Sequence, residues 1–499
     1  MQDKINKYLE LRQKLQAFNF AMYLIGWDSE TEAPIGCFEE RSKQIGVLSQ
    51  LSYDILMNDE TINLIKDLHN HLDELDHNLQ VEIKNMYKNI MKKILVPADE
   101  LIAYDVLLSK ASPVWAKAKE TNNYDLFKPI LQEIIDYNKK YVEYVKTAER
   151  SGYNVLLDEY EDGSSISFYD EFFNELRKEI VPLVKKIKEA GYHHNENLLN
   201  KKYDKERQKA FASYIMDVMC FDKTKGLLKE SVHPFTSGFG NTDVRITTHY
   251  YDDLLASSIF SVIHEGGHAT YELQCADELN DTLIGGGSTM AMHESQSRFY
   301  ENIVGRSYEF WEKHYPFLKD MFKDELSDTT LEDFYHHVNK VECSLIRTEA
   351  DELTYPLHIM VRYEIEKAIF NNELTIDELP AKWNALYKEY LGIDVPTDSE
   401  GILQDIHWAG GSFGYFPTYA LGSAYAAQLL YAMKKDIDFE SAIKEDNLSK
   451  INAWLKEKVH KFGGSMTPKE LLLNATGEEF NAKYYVRYLK EKYTKIYNL

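Results

Sequence analysis

The sequence predicts a mainly α fold: one large helical body, with a small β hairpin or sheet just before a central helix. Three observations carry this. Apolar residues recur at three- and four-residue spacing along most of the chain. Gly and Pro number only 24 and 12 in 499 residues, few enough for long helices. The main departure spans residues 229–250, where turn residues and apolar–polar alternation replace helical periodicity.

In chain order, helical patterns cover residues 2–24, 39–57, 78–94, 98–119, 125–150, 169–190 and 203–220. Then Val232-His233-Pro234-Phe235, Thr236-Ser237-Gly238-Phe239-Gly240 and Asp243-Val244-Arg245-Ile246-Thr247-Thr248 read as short strands and turns. A dense apolar helix follows, from Asp252 and Asp253, which suit a helix N-terminus, to about Cys275. Helical patterns resume at 289–322, 329–344, 350–371, 376–390 and 418–434, and continue to the C-terminus. The glycine-bearing loops at 285–287 and 410–414 are short. With no repeat, low-complexity tract or linker, residues 1–499 read as a single catalytic domain with a cleft.

The chain is 44% apolar and 28% charged, ample for a large core. Its net charge of -24 repels nucleic acid, and no basic patch compensates. Cys37, Cys220, Cys275 and Cys343 lack CxxC spacing, which points to reduced thiols and a cytoplasmic protein. No apolar run reaches membrane-spanning length. The stretch Phe18–Trp27 lacks the basic lead and cleavage site of a signal peptide.

The chemistry centres on His264-Glu265-Gly266-Gly267-His268, an HExxH pattern. Residues four apart share one helix face, so two imidazoles there can chelate one metal ion. The carboxylate after the first His then lies near the attacking water and can take its proton. Three polar residues in so apolar a helix would be costly without strong partners. Gly266 and Gly267 each cost roughly 1 kcal/mol in a helix interior, which points to a close approach by substrate or another backbone.

A catalytic site needs a third ligand. The extended HExxHxxGxxH pattern is absent, since Tyr271 and Gln274 stand at its later positions. Glu272 lies one turn further on the same straight helix, where convergence on the metal is poor. The better candidate is Glu294 in Met292-His293-Glu294-Ser295-Gln296, on a second helix capped by Ser288 or Thr289. The competing reading is an ordinary exposed helix Glu. Asp351, Asp405 and Glu301 are candidate acceptors for the second ring nitrogens of the two His ligands.

Further groups flank the motif. Arg245 sits in the strand region. Arg347 stands on an otherwise apolar, helix-like stretch, either as a structural ion pair or as a substrate contact. His407 and Trp408 lead into Gly411-Ser412-Phe413-Gly414-Tyr415-Phe416-Pro417-Thr418-Tyr419. Beside a metal site, these look like parts of a peptide-binding cleft.

Across its length the chain resembles the carboxypeptidase Taq family of metallocarboxypeptidases. The matching motifs are HPF (His233-Pro234-Phe235), DxRxT (Asp243, Arg245, Thr247), HExxH, HESQ (His293 to Gln296), IRxxAD (Ile346, Arg347, Ala350, Asp351) and GxxQDxHW (Gly401, Gln404, Asp405, His407, Trp408). Trp27-Asp28-Ser29-Glu30-Thr31 is similar to the family's opening segment. The resemblance implies a mostly helical homodimer with a deep central groove. It implies one divalent metal per chain, zinc first and cobalt as a substitute, held by His264, His268 and Glu294. The implied activity is release of single residues from peptides with a free C-terminus, with broad side-chain preference.

The residue chemistry agrees. Glu265 is the base. An oxyanion needs a side-chain donor, for which Tyr419 comes first, with Tyr415 and His233 as alternatives. A guanidinium suits a terminal carboxylate, so Arg347 is the first candidate and Arg245 the second. Two other readings stand beside this one. The same chemistry serves a helical oligoendopeptidase or dipeptidyl carboxypeptidase, and a vestigial site would leave a non-catalytic binding protein. The intact Glu265 argues against the last.

Overall fold

The computed structural model describes residues 1–191, 201–445 and 448–499. Before the sheet region the helices are α1 (Gln2–Thr31), α2 (Phe38–Leu56), α3 (Asp59–His69), α4 (His77–Leu95), α5 (Ala98–Glu120), α6 (Tyr124–Val145), α7 (Tyr153–Tyr160), α8 (Ile166–Ala190) and α9 (Lys205–Val218). Their starts are chemically marked. Asn58, Asp76, Asn123, Ser165 and Asp204 each accept an amide of the first turn they precede.

Three short strands follow: β1 (Gly226–Glu230), β2 (Thr236–Gly238) and β3 (Val244–Thr248). Their order is β1-β3-β2, with β1 parallel and β2 antiparallel to β3. The expected hairpin is therefore only β2–β3, and β1 joins on the far side of β3. Alternation sorts the strand residues between two faces. On one face Thr236 and Thr248 meet the following helix, α10 (Leu255–Leu273), through Glu265 and Ser261. On the other, Phe235, Phe239 and Arg245 meet Trp27 and Tyr23 of α1.

The rest of the chain forms α11 (Met290–Arg298), α12 (Tyr308–Met321), α13 (Leu331–Val338), α14 (Tyr355–Phe370), α15 (Leu379–Leu391), α16 (Phe416–Asp436), α17 (Phe439–Lys444), α18 (Ser449–Lys458), α19 (Pro468–Thr476) and α20 (Lys483–Tyr497). One large hydrophobic core runs from Ala111 to Tyr497. A smaller one joins α1, α3 and α4 through Tyr8, Leu11, Ile65, Leu68, Ile83 and Ile90.

Several boundaries differ from the periodicity. The helices at 59–69 and 153–160 were absent from it. The expected helix 289–322 is broken: α11 passes into a π turn, Phe299–Val304, and Ser307 caps a new start for α12. The pattern at 329–344 stops at Val338, where Asn339 bonds to the carbonyls of Arg306 and Tyr335. Asp351 accepts the amides of Leu353 and Thr354, which delays α14 to Tyr355. Arg347 lies in a 3₁₀ turn, Arg347–Glu349, not on a helix. The helix expected from Asp252 begins at Leu255; the Asp252 carbonyl instead accepts the Tyr203 amide at 2.6 Å, and its side chain pairs with Lys202. The pattern at 125–150 ends as helix at Val145.

Glycines set the distance between the central helices. A Cβ on Gly267 would lie 2.7 Å from the carbonyl oxygen of Gln296 and 2.8 Å from the Cα of Ser297. One on Gly422 of α16 would lie 2.7 Å from Cγ of Glu294. Gly266 faces only the thioether end of Met219, 2.7 Å away. Gly267→Ala is therefore expected to cost about 1–3 kcal/mol through backbone displacement. Gly266→Ala is expected to be near neutral, because Met219 can shift and Ala favours the helix by about 1 kcal/mol. Urea unfolding of the two variants checks the contrast.

Candidate metal centre and substrate cleft

α10 and α11 run antiparallel. His264 stands opposite Glu301, His268 opposite His293, and Glu272 opposite Gly287. Thr289 caps α11 by accepting the amide of Met292, as one of the two expected residues. With Gly267 and Gly422 leaving room on either side, Glu294 turns between the two histidines. Its Oε2 is 3.6 Å from Nε2 of His264 and 3.5 Å from Nε2 of His268. One ligand atom from each residue lies within 4.8 Å of the others.

This donor set fits a divalent metal. Both imidazoles use Nδ1 elsewhere, so Nε2 of each faces the centre. Nδ1 of His264 is 2.8 Å from Oε2 of Glu301. Nδ1 of His268 is 2.6 Å from Nδ1 of His293, whose Nε2 is 2.7 Å from Oε1 of Glu272. A coherent proton arrangement follows. His268 donates to His293, and His293 donates to the Glu272 carboxylate, which also accepts the amide of Gly287 at 2.9 Å. Two nitrogens and a carboxylate oxygen leave a fourth direction open, as catalytic zinc sites require.

Charge is arranged to keep the ligands ready. Burial alone would raise the pKa of Glu294, but the Arg298 guanidinium and His264 hold it well below the usual carboxylate range. Arg298 Nε donates to Oε1 of Glu294 at 2.7 Å, leaving Oε2 toward the centre. Burial also works against the Glu301 anion, yet Arg298, His264 and Arg306 keep it ionised. Burial lowers the pKa of His268, which keeps Nε2 unprotonated. In His264, burial is outweighed by Glu294 and Glu301, which raise its pKa.

Glu265 lies on the adjoining face, only 7% exposed. Thr236 of β2 donates its hydroxyl to Oε2 of Glu265 at 2.6 Å and is 3.1 Å from the Glu265 carbonyl oxygen. That contact orients the carboxylate and leaves its other oxygen available.

A second group converges beside α11. Arg347 is 7% exposed, with Nε and Nη2 on Oδ1 of Asp405 at 3.1 and 2.9 Å. Its Nη1 donates to the Tyr355 hydroxyl at 3.2 Å. The Tyr355 ring in turn lies under the Arg298 guanidinium, 4.8 Å away. Asp405 also binds Arg362, so two guanidinium groups share one carboxylate and the cluster keeps an excess positive charge. The Tyr419 ring is 5.2 Å from the Arg347 guanidinium, and its hydroxyl is 3.4 Å from Nε2 of His407. Tyr415 packs edge-on against Tyr419 at 5.0 Å, near enough to Glu294 to feel its charge. Burial raises the Tyr419 pKa, so its hydroxyl stays protonated and can donate. Burial pushes His407 down to about 4, so it stays neutral.

Of the residues expected at the site, His264, Glu265, His268 and Glu294 thus come together, and Arg347, His407, Tyr415 and Tyr419 form a neighbouring group. Arg245 does not join them. It is odd-numbered in β3, so it faces α1 and away from the metal helix. There it pairs bidentately with Asp243, at 2.7 Å for both contacts, between the Tyr23 and Trp27 rings. His233 is exposed on the β1–β2 connection, and its backbone carbonyl accepts the Ser231 hydroxyl. Of the expected acceptors, Glu301 serves His264. Asp351 accepts the amides of Leu353 and Thr354 in the turn before α14, and Asp405 binds arginines. The Glu272–His293 pair, Thr236, Tyr355 and Gly422 were not expected. Only His293, itself part of the HESQ motif, and Thr236, next to the HPF motif, carried a signal.

The model of the Carboxypeptidase Taq (M32) metallopeptidase family matches residues 7–493. The Carboxypeptidase 1 of Bacillus subtilis (strain 168) is 40% identical over 494 residues, covering 99% of this chain and 98% of that one. A solved carboxypeptidase structure from Pyrococcus furiosus superposes with a TM-score of 0.94 at 40% identity, covering 98% and 99%. One from Deinococcus radiodurans R1 gives 0.95 at 31% identity, with both chains fully covered.

Replacing Glu272 by Gln or His293 by Ala is expected to weaken metal binding about 10–100-fold while leaving the helical fold intact. Competition against a chelator, with circular dichroism as the control, checks this.

Proposed function

The chain belongs to the carboxypeptidase Taq family of metallopeptidases, and we propose that His264, His268 and Glu294 hold the metal with which it works as a metallocarboxypeptidase. The observation that carries this reading is the convergence of two Nε2 atoms and one carboxylate oxygen beside a buried Glu265. Zinc is the preferred ion, since its borderline character suits a His₂Glu set, and cobalt is an alternative. When bound, the ion supplies Lewis acidity toward the scissile carbonyl and makes a water more acidic.

The residues divide the remaining work. Glu265, oriented by Thr236, accepts the proton of the attacking water and delivers it to the leaving amine. Tyr419, held protonated, donates to the oxyanion, with Tyr415 beside it as the alternative donor. His407 holds the Tyr419 hydroxyl in place as a neutral partner. Arg347 receives the terminal carboxylate. Its ion pair with Asp405 does not oppose this role, because Arg362 shares that carboxylate and the Arg347 fork retains unused N–H groups. Arg245, which faces α1, has less support as a substrate contact, and His233, exposed on the β1–β2 connection, keeps its place as an alternative. The carboxypeptidase names of the relatives favour this reading over an endopeptidase or dipeptidyl carboxypeptidase.

The full-length family match supports one catalytic unit over residues 1–499. No helix among the described residues is long and apolar enough to cross a membrane. The four cysteines form no disulfide, which supports a reducing, cytoplasmic setting. Association into a homodimer is proposed on the family resemblance, and sedimentation tests it.

Mass spectrometry of a peptide panel with zinc- or cobalt-loaded protein is expected to give ladders of one-residue C-terminal losses. C-terminally amidated peptides should be cut at least tenfold more slowly, because an amide cannot pair with Arg347 as a carboxylate does. Equal rates would remove Arg347 from the role. Glu265→Gln should retain the metal and lose about three or more orders of magnitude in kcat. Full activity would rule out the base assignment.

A further inference from the structure

β2 has a free edge that starts beside the base. In the antiparallel β2–β3 pair, Thr236 stands opposite Ile246, Ser237 opposite Arg245 and Gly238 opposite Val244. Flanking bonds from Thr247 N to Phe235 O and from Phe239 N to Asp243 O, both 2.9 Å, fix the alternation. Odd-numbered residues bond to β3, so the amides and carbonyls of Thr236 and Gly238 point away from it. Among the described residues no hydrogen bond takes up these groups. The Thr236 hydroxyl is already on Glu265.

Beyond Gly238 this edge opens into a cleft of about 240 Å³. Gly238 and Gly240 form one wall, Gln16 and Asn19 of α1 another, and Asn280 and Glu272 close it. The only charged side chain among those lining it is Glu272, whose Oε1 is committed to His293 and to the Gly287 amide. Asn280 is held rigid, accepting the Asn241 amide and donating to Oδ1 of Asn241, both at 2.9 Å. Gly240 has φ +64°, and a Cβ there would lie 2.7 Å from Oδ1 of Asn280, so this wall has no room for a side chain.

The cleft and Arg347 lie toward opposite ends of the metal helix. Glu272 is one turn beyond His268. Arg347 is linked through Tyr355 and Arg298 to Glu294 and Glu301, the latter opposite His264.

We propose that this cleft is the subsite for the substrate segment about two to four residues upstream of the scissile bond, reached by a chain running along the free edge of β2. The proposal rests on the carboxypeptidase reading, with the C-terminal carboxylate at Arg347. An extended chain rises about 3.3 Å per residue, so the path from Thr236 to Gly240 matches about four substrate residues. The occupant is an extended peptide backbone. Outward amides and carbonyls, together with the side-chain amide of Asn19, offer it hydrogen bonds. The one charge at the cleft, Glu272, is held at its closed end by two donors, and no large apolar pocket opens from it, so it reads length before side-chain identity.

The test is a series of N-acylated peptides of two to six residues with the same two C-terminal residues. Wild-type kcat/KM is expected to rise about tenfold between two and five residues and then level, the effect of a pair of backbone hydrogen bonds. Asn19→Trp, on an exposed position of α1, should abolish the rise and leave the two-residue substrate unchanged. Asn19→Asp should instead create a preference of about threefold or more for Lys over Glu at the third residue upstream. A flat wild-type series, an undiminished rise in Asn19→Trp, or no charge preference in Asn19→Asp would each overturn the subsite. Release of the C-terminal residue from the two-residue substrate monitors the carboxypeptidase reading separately, so failure of one is distinguishable from failure of the other.

Discussion

A carboxylate buried between three helices is the constraint around which this structure is organised. Glu294 sits where α10, α11 and α16 meet, and burial alone would drive it neutral. Arg298 prevents that, but brings a second buried charge. Glu301 answers Arg298, and Arg306 answers Glu301. His264 completes the set by bonding to Glu301 while facing Glu294. Each charge in the set is offset by another, and together they preserve an anionic oxygen that faces Nε2 of both histidines. Such a set is costly to bury unless every member is paired, and these are.

The same constraint explains the glycines and the π turn. Gly267 and Gly422 bring α10 and α16 close enough to enclose Glu294. The π turn at Phe299–Val304 includes Glu301 and presents its carboxylate to His264. Tyr355 then joins the metal side to the Arg347–Asp405–Arg362 cluster through one ring and one hydroxyl. The candidate metal ligands and the Arg347 cluster are thus held by neighbouring polar networks. β2 supplies the opposite wall, where Thr236 orients Glu265 and the strand leads on toward the upstream cleft.

Much of this was legible because it is local. The metal pair depends only on four-residue spacing along one helix, and Gly285-Gly286-Gly287 with Thr289 marked the start of the second. Arg347, His407, Tyr415 and Tyr419 stood out as polar or aromatic residues in unusual company. Arg245 misled because its strand was recognised without its register. A shift of one residue moves a side chain to the other face, and only the pairing with β2 and the packing of α1 show which face meets the metal helix. Glu272 was weighed as a ligand and set aside. Its actual partner, His293, approaches from a different helix, a contact that no spacing along α10 can reveal.

The sequence by itself determined the helical class, and it marked out the two histidines and Glu265 as a candidate metal pair and base, Glu294 as a candidate third ligand, and a cluster of aromatic and cationic residues as candidate peptide contacts. These follow from periodicities and from residue types too costly to bury without purpose. Only the tertiary structure decided which nitrogen of each histidine faces the centre, which acid supports it, that Arg347 shares its carboxylate with Arg362, and that Arg245 anchors α1. Those outcomes depend on contacts between residues far apart in the chain. They are settled by how closely α10, α11 and α16 can pack, and by the need to pair every charge that this packing buries.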